Sequence, residues 1–154
     1  MKTLYILIHM LYPSNDTEVV NYYNSILDRA MNTYCFLNID YKLSTIDSAM
    51  VVIDPCSKEL YPDSRFLGIT IGSIHRNPEL YPPTEIHLSC MTGDNNLLEV
   101  LTHEIYHALT IGNYHNIDPE SLMYESYTPG SKLTRQDTLY LFKTFNFTKY
   151  AKLR

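Results

Sequence analysis

Residues 103–124 constrain this chain more than any other stretch: His-Glu-Ile-Tyr-His-Ala-Leu-Thr-Ile-Gly-Asn-Tyr-His-Asn-Ile-Asp-Pro-Glu-Ser-Leu-Met-Tyr. His103 and His107 are four residues apart. Helical spacing puts them on one face, one turn apart, so both imidazoles can reach one metal ion. Glu104 sits beside the first of them, where it can hold a metal-activated water and take its proton. His115 follows His107 by eight residues. In a continuing helix that is about 12 Å along the axis, whereas zinc–nitrogen bonds are only about 2.0–2.1 Å. His115 therefore joins the site only if the helix stops and the chain turns back. Gly112 is the place for that turn, because glycine accepts the left-handed conformation that ends many helices. Three histidine ligands leave a fourth position open, the pattern of a catalytic site and not of a structural one.

Plainer readings compete with this one. The pentapeptide His-Glu-x-x-His arises by chance in helices. With six histidines in the chain, two at this spacing could be solvated surface residues. A lone methionine more often fills a core gap, so Met123 counts only through its place after the histidines. The third histidine beyond a glycine, followed by Asp118-Pro119 and Leu122-Met123, favours the metal site.

These residues resemble a known family. The pattern His-Glu-x-x-His-x-x-Gly-x-x-His followed by a methionine turn belongs to the metzincins. Gly112-x-x-His115, the spacing from His115 to Met123, and the pairs Asp118-Pro119 and Leu122-Met123-Tyr124 are similar to the matrixins, the matrix-metalloproteinase type. The chain departs from that pattern by two extra residues between His107 and Gly112. The run Asn96-Leu97-Leu98-Glu99-Val100-Leu101-Thr102 leads into His103 as the matrixin active-site helix does. Leu133-Thr134-Arg135-Gln136-Asp137 resembles the start of the matrixin C-terminal helix; on physical grounds Thr134 suits an N-cap and Asp137 an acidic N3 residue. The resemblance is specific over residues 94–145 and upstream is only an order of elements.

The resemblance implies a zinc-dependent endopeptidase. One catalytic zinc would be held by His103, His107 and His115, with Glu104 as general base and Met123 in the methionine turn; no structural calcium is expected. Tyr127 stands where matrixins carry a tyrosine in the wall of the pocket beside the scissile bond, and Glu125 replaces a proline two positions before it. Glu99, one helical turn before His103, stands where matrixins shape the pocket for the residue after that bond. An acid there would favour a basic or polar residue or shorten the pocket; the plainer alternative is a solvated or paired glutamate. Gly68, Ile69 and Thr70 would bind an extended peptide along an edge strand.

The 154 residues suit one domain, taken as residues 1–154. A formal charge of −5 without a basic block argues against nucleic acid as a partner. The expected partner is a peptide or protein substrate, with the chain as a monomer. The three cysteines, Cys35, Cys56 and Cys90, are odd in number and far apart. They read as unpaired, buried or partly buried thiols, which leans toward a reducing, cytoplasmic compartment. The apolar run over residues 1–11 lacks a small-x-small cleavage site and is too short to span a bilayer. It reads as a buried first strand that leaves no room for a propeptide, with a turn at residues 12–16.

Helical spacing predicts a helix over residues 17–34, followed by strands at 36–43 and 49–53, the latter ending before Asp54-Pro55. Further strands are expected at 66–72 and 85–90, and helices at 94–111 and 134–145. Alternating helices and short strands imply an α/β fold with right-handed crossovers. The resemblance narrows it to the zincin type: a twisted five-stranded, mostly parallel sheet with one antiparallel edge strand, three main helices and a methionine turn. Residues 66–72 are assigned to that edge, above the cleft. Two other functions stay open. One is a zinc peptidase of another clan, with Glu120 or Glu125 as third ligand. The other is a non-catalytic zinc-binding interaction module on a peptidase scaffold, which has no need of Glu104.

Overall fold

Leu4 and Ile6 of the first strand, β1 (Lys2–Ile8), are buried, while Tyr5 and Leu7 beside them are only partly so. That period-2 pattern marks a strand with one face against a core. The same alternation recurs in β3 (Val51–Ser57) and β5 (Thr84–Ser89). The computed structural model describes residues 2–9, 16–57, 66–90, 92 and 94–146. The turn expected at residues 12–16 lies, but for Asp16, outside them.

β1 and β3 are joined by β2 (Ile39–Leu43) and β4 (Gly68–Ile71) in a five-stranded sheet of order β2-β1-β3-β5-β4. All neighbours are parallel except β4, which runs antiparallel to β5 at the edge. This is the expected α/β architecture, with the edge strand where the sequence placed it. Three α-helices complete it: α1 (Thr17–Asn32), α2 (Asp94–Leu109) and α3 (Arg135–Asn146). Asp16 caps α1 by accepting from the Glu18 N–H at 2.9 Å. α1 and α2 pack side by side, and α2 lies against β4 and β5. Leu4, Ile6, Val51, Ile53, Ile86 and Leu88 of the sheet meet Leu27 and Ala30 of α1 and Leu101, Ile105 and Leu109 of α2 in one apolar cluster. Among the described residues no helix is long and apolar enough to cross a membrane.

Several boundaries differ from expectation for identifiable reasons. The strand expected at 36–43 begins only at Ile39. Cys35–Leu37 form a 3₁₀ turn, and Asn38 adopts a left-handed backbone with φ 55°, which asparagine tolerates better than most residues. β3 does not stop before Asp54-Pro55 but runs through Pro55 to Ser57. The ladder with β5 shifts register between Asp54 and Ser57, an irregularity of the kind that accommodates proline in a sheet. The cysteine assignment is also corrected. Cys56 and Cys90 are exposed and form a disulfide, and only Cys35, also exposed, is free. Pairing of Ser57 with Ser89 brings the ends of β3 and β5 together, which no spacing along the chain discloses. The lean toward a reducing compartment thereby loses its basis.

Candidate metal centre

One turn of α2 separates His103 from His107, and their Nε2 atoms lie 3.0 Å apart. Two nitrogens bound at about 2.0–2.1 Å to one tetrahedral ion would sit roughly 3.3 Å apart. The His115 ring stacks 5.4 Å from that of His103 and meets that of His107 at 4.9 Å. One ligand nitrogen from each of the three lies within 4.8 Å of the other two, close enough to hold a metal ion. Nδ1 of His103 is 2.7 Å from the Leu122 carbonyl. A carbonyl only accepts, so Nδ1 carries the proton and Nε2 keeps its lone pair for a metal. Burial pushes the His103 imidazolium down, and it pushes His107 down to about 3 with help from His103 and His115. The neutral imidazole these shifts favour is the ligating form.

The return of His115 depends on how α2 ends. The helix stops at Leu109, two residues short of the expected boundary, and Gly112 takes φ +87°. The last carbonyls find partners from outside the helix. The Ile74 N–H donates to Ala108 at 3.0 Å, Nε2 of His75 to Leu109 at 2.5 Å, and the Ser73 hydroxyl to Thr110 at 2.6 Å. The Tyr140 hydroxyl from α3 donates to Ile111 at 2.9 Å. Gly112 announced the turn; the caps from residues 73–75 did not show in the sequence.

Beyond His115 the chain pairs with the methionine turn. The Asn116 N–H donates to the Met123 carbonyl at 2.8 Å, and the Ser121 hydroxyl accepts from the Met123 N–H at 2.9 Å. Met123 is fully buried. Asp137, also fully buried, holds these segments together. Its carboxylate accepts from Asn116 Nδ2, the Ser121 hydroxyl and the Thr134 N–H, each at 2.7 Å, and from the Tyr114 hydroxyl at 3.1 Å. Burial alone would raise the carboxyl, but the donors from Asn116, Ser121 and Thr134 outweigh it and hold it below the usual range. Thr134 and Asp137 do cap α3. The further role of Asp137, clamping the loop of the third histidine to the methionine turn, was not legible from local sequence. Glu120 and Glu125 are exposed, and neither joins the histidine cluster.

Glu104, on the turn of His103, is 6% exposed. Its Oε2 accepts from the Thr70 hydroxyl of β4 at 2.6 Å. Burial pushes its carboxyl up to about 7, with the Thr70 bond opposing. Gly68 lies against it: a Cβ there would meet Glu104 Cγ at 2.8 Å and Oε1 at 2.9 Å. Gly68 and Thr70 thus touch the carboxylate itself, a role beyond the backbone pairing expected of residues 68–70.

A cleft of about 620 Å³ runs along β4, lined by Ile69, Thr70, His103, Glu104, His107 and His115. A second cavity of about 240 Å³ shares His103 and Glu104 with it and is walled by Glu99, Val100, Leu122 and Tyr127. The Tyr127 hydroxyl donates to Asn96 Oδ1 at 2.9 Å, and Glu99 Oε1 accepts from the Gly130 N–H at 3.0 Å. Gly68, Ile69, Thr70, His103, Glu104, His107 and His115 therefore line the cleft, Glu99 and Tyr127 line the adjoining cavity, and Met123 lines neither. No family model matches the chain, and no curated protein matches it.

Proposed function

We propose that the chain is a zinc-dependent endopeptidase of the metzincin type, similar to the matrixins. One observation carries this: His103, His107 and His115 converge beside the carboxylate of Glu104, in a cleft under a sheet edge. The donor set fits zinc. Three imidazoles, one with its tautomer fixed by a carbonyl, suit that ion and leave a coordination position open. Zinc bound there supplies Lewis acidity and lowers the pKa of water.

The chain's own groups account for the rest. Among the described residues β4 pairs with β5 alone, so its other edge can take an extended peptide by main-chain hydrogen bonds. Glu104, held by Thr70 and backed by Gly68, takes a proton from the attacking water and gives it to the leaving amine. Neither Glu120 nor Glu125 joins the histidine group, which supports His115 as the third ligand.

Metal analysis together with cleavage of a peptide library, with and without chelator, tests this function. About one zinc per chain is expected, with cleavage abolished by chelator and restored by zinc. His115→Ala should lower the zinc content sharply; an unchanged content would remove the metzincin assignment.

Thr70→Val should leave zinc content and KM close to wild type and lower kcat by about 10–100-fold, because a hydrogen bond to a charged group contributes roughly 1.5–3 kcal/mol. Thr70→Ser restores the donor and should recover most of the rate. If valine and serine behave alike, the hydroxyl does not position Glu104.

A further inference from the structure

The 240 Å³ cavity beside the cleft has an acidic wall. Glu99 lies one helical turn before His103, and its two carboxylate oxygens differ. Oε1 accepts from the Gly130 N–H at 3.0 Å, while Oε2 is buried with no hydrogen-bond partner. The Tyr127 hydroxyl donates to Asn96 Oδ1 at 2.9 Å and also lies within hydrogen-bonding reach of the Glu99 carboxylate. Among the described residues no lysine or arginine forms an ion pair with Glu99. A buried carboxylate oxygen left without a donor is costly, and a cation with N–H donors satisfies it best. Val100 and Leu122 line the same cavity and offer apolar surface to an aliphatic stem. The exposed Glu125 borders both the cavity and the main cleft, adding negative charge where the two meet. The volume equals roughly eight waters at about 30 Å³ each, room for an extended lysine or arginine side chain.

The strand direction says which substrate residue reaches it. β4 runs from Gly68 to Ile71. A peptide pairing antiparallel to it has its C-terminal half toward Gly68, and Phe66, Leu67 and Gly68 border this cavity. Resting on the peptidase function proposed above, we infer that the cavity receives the side chain following the cleaved bond and that Glu99 selects a lysine or arginine there. The sequence left open whether this acid is solvated, shortens the pocket or selects a base. The buried, unpartnered oxygen argues against the first, and the open cavity argues against the second.

The test uses the zinc-loaded full chain and peptides identical except for lysine, arginine, norleucine or glutamate after the bond. Wild type should favour lysine and arginine over norleucine by about 10–100-fold in kcat/KM, the range for a hydrogen bond to a charged group. Glutamate should be the poorest. Glu99→Gln keeps an acceptor for Gly130, and it should collapse the preference to within a few-fold. Binding of the same peptides to zinc-loaded Glu104→Gln, measured by calorimetry, should show the same order without turnover. Cleavage with equal rates for lysine and norleucine overturns the pocket assignment and leaves the peptidase function standing. Preferential binding of the lysine peptide without any cleavage by wild type overturns the peptidase function and upholds the cationic pocket. A preference that survives Glu99→Gln removes Glu99 as its source.

Discussion

Glu104→Gln should bind zinc as wild type does and lose peptide hydrolysis by ~10²–10⁴-fold, the usual loss when a general base is removed. The substitution preserves shape at a place where shape is tightly set. Gly68 leaves room for this side chain and no more, since a Cβ there would stand 2.9 Å from Oε1. A glutamine carbonyl can still accept the Thr70 hydroxyl that now bonds Oε2 at 2.6 Å. None of the three histidines bonds Glu104, so the ligands should stay in place. Stability should not fall, because the site no longer buries a carboxylate, which is costlier than an amide. Single-turnover cleavage, zinc content and thermal melting measured on one preparation separate these effects. Cleavage at wild-type speed would show that the base lies elsewhere.

Asp137→Ala should have the largest effect on stability. It removes the acceptor for four donors, on Tyr114, Asn116, Ser121 and Thr134. Each buried group left unpaired costs about 1–3 kcal/mol, and part of the set can rotate to other partners, so a loss of about 3–5 kcal/mol is expected. Because Asn116 and Ser121 fix the loops next to His115 and under His103, zinc affinity should fall as well, by ~10–100-fold. Urea unfolding of the metal-free protein and zinc competition with a chelator read the two effects. The pH dependence has a definite sign. The folded state holds the Asp137 carboxyl below its ordinary value, so its contribution is present above the unfolded pKa. It is lost as pH falls through the folded one. Asp137→Asn should unfold with a shallower dependence on acid than wild type. Equal urea midpoints for wild type and Asp137→Ala would show that the network does not stabilise the fold.

How much could be foreseen depends on how local the cause was. Leu4, Ile6, Ile86 and Leu88 alternate with less buried neighbours, and the helices repeat their apolar positions, so sheet and helices followed from periodicity. The histidine cluster followed from helix geometry plus one glycine, Gly112, which does adopt the required positive φ. Late starts and overruns came from single residues acting against the pattern: Asn38 broke a strand, and Pro55 did not. The missed features join distant parts of the chain. The Cys56–Cys90 bond spans 34 residues and exists because β3 and β5 are parallel neighbours. Asp137 looked like a helix-start residue, which it is, but three of its donors come from a loop and a turn some 16 to 23 residues earlier. Gly68 and Thr70 were assigned to the substrate strand, and Thr70 bonds Glu104 across 34 residues while Gly68 leaves the room its side chain fills.

The bonds from Ser73, Ile74 and His75 to the end of α2 bear on which proteins such a site could cut. They tie the segment that follows β4 to the helix carrying two of the histidines, while Thr70 ties the middle of β4 to Glu104. The edge strand and the helix under it are thus fastened to each other at two points. A peptidase cleft held in this way would suit a single extended strand. A folded protein presents such a strand only at a loose end or a loop that detaches easily. Well-structured targets would then be nicked first at their hinges and tails, and the rate of cutting would track how often those segments open rather than how many suitable sequences the target contains.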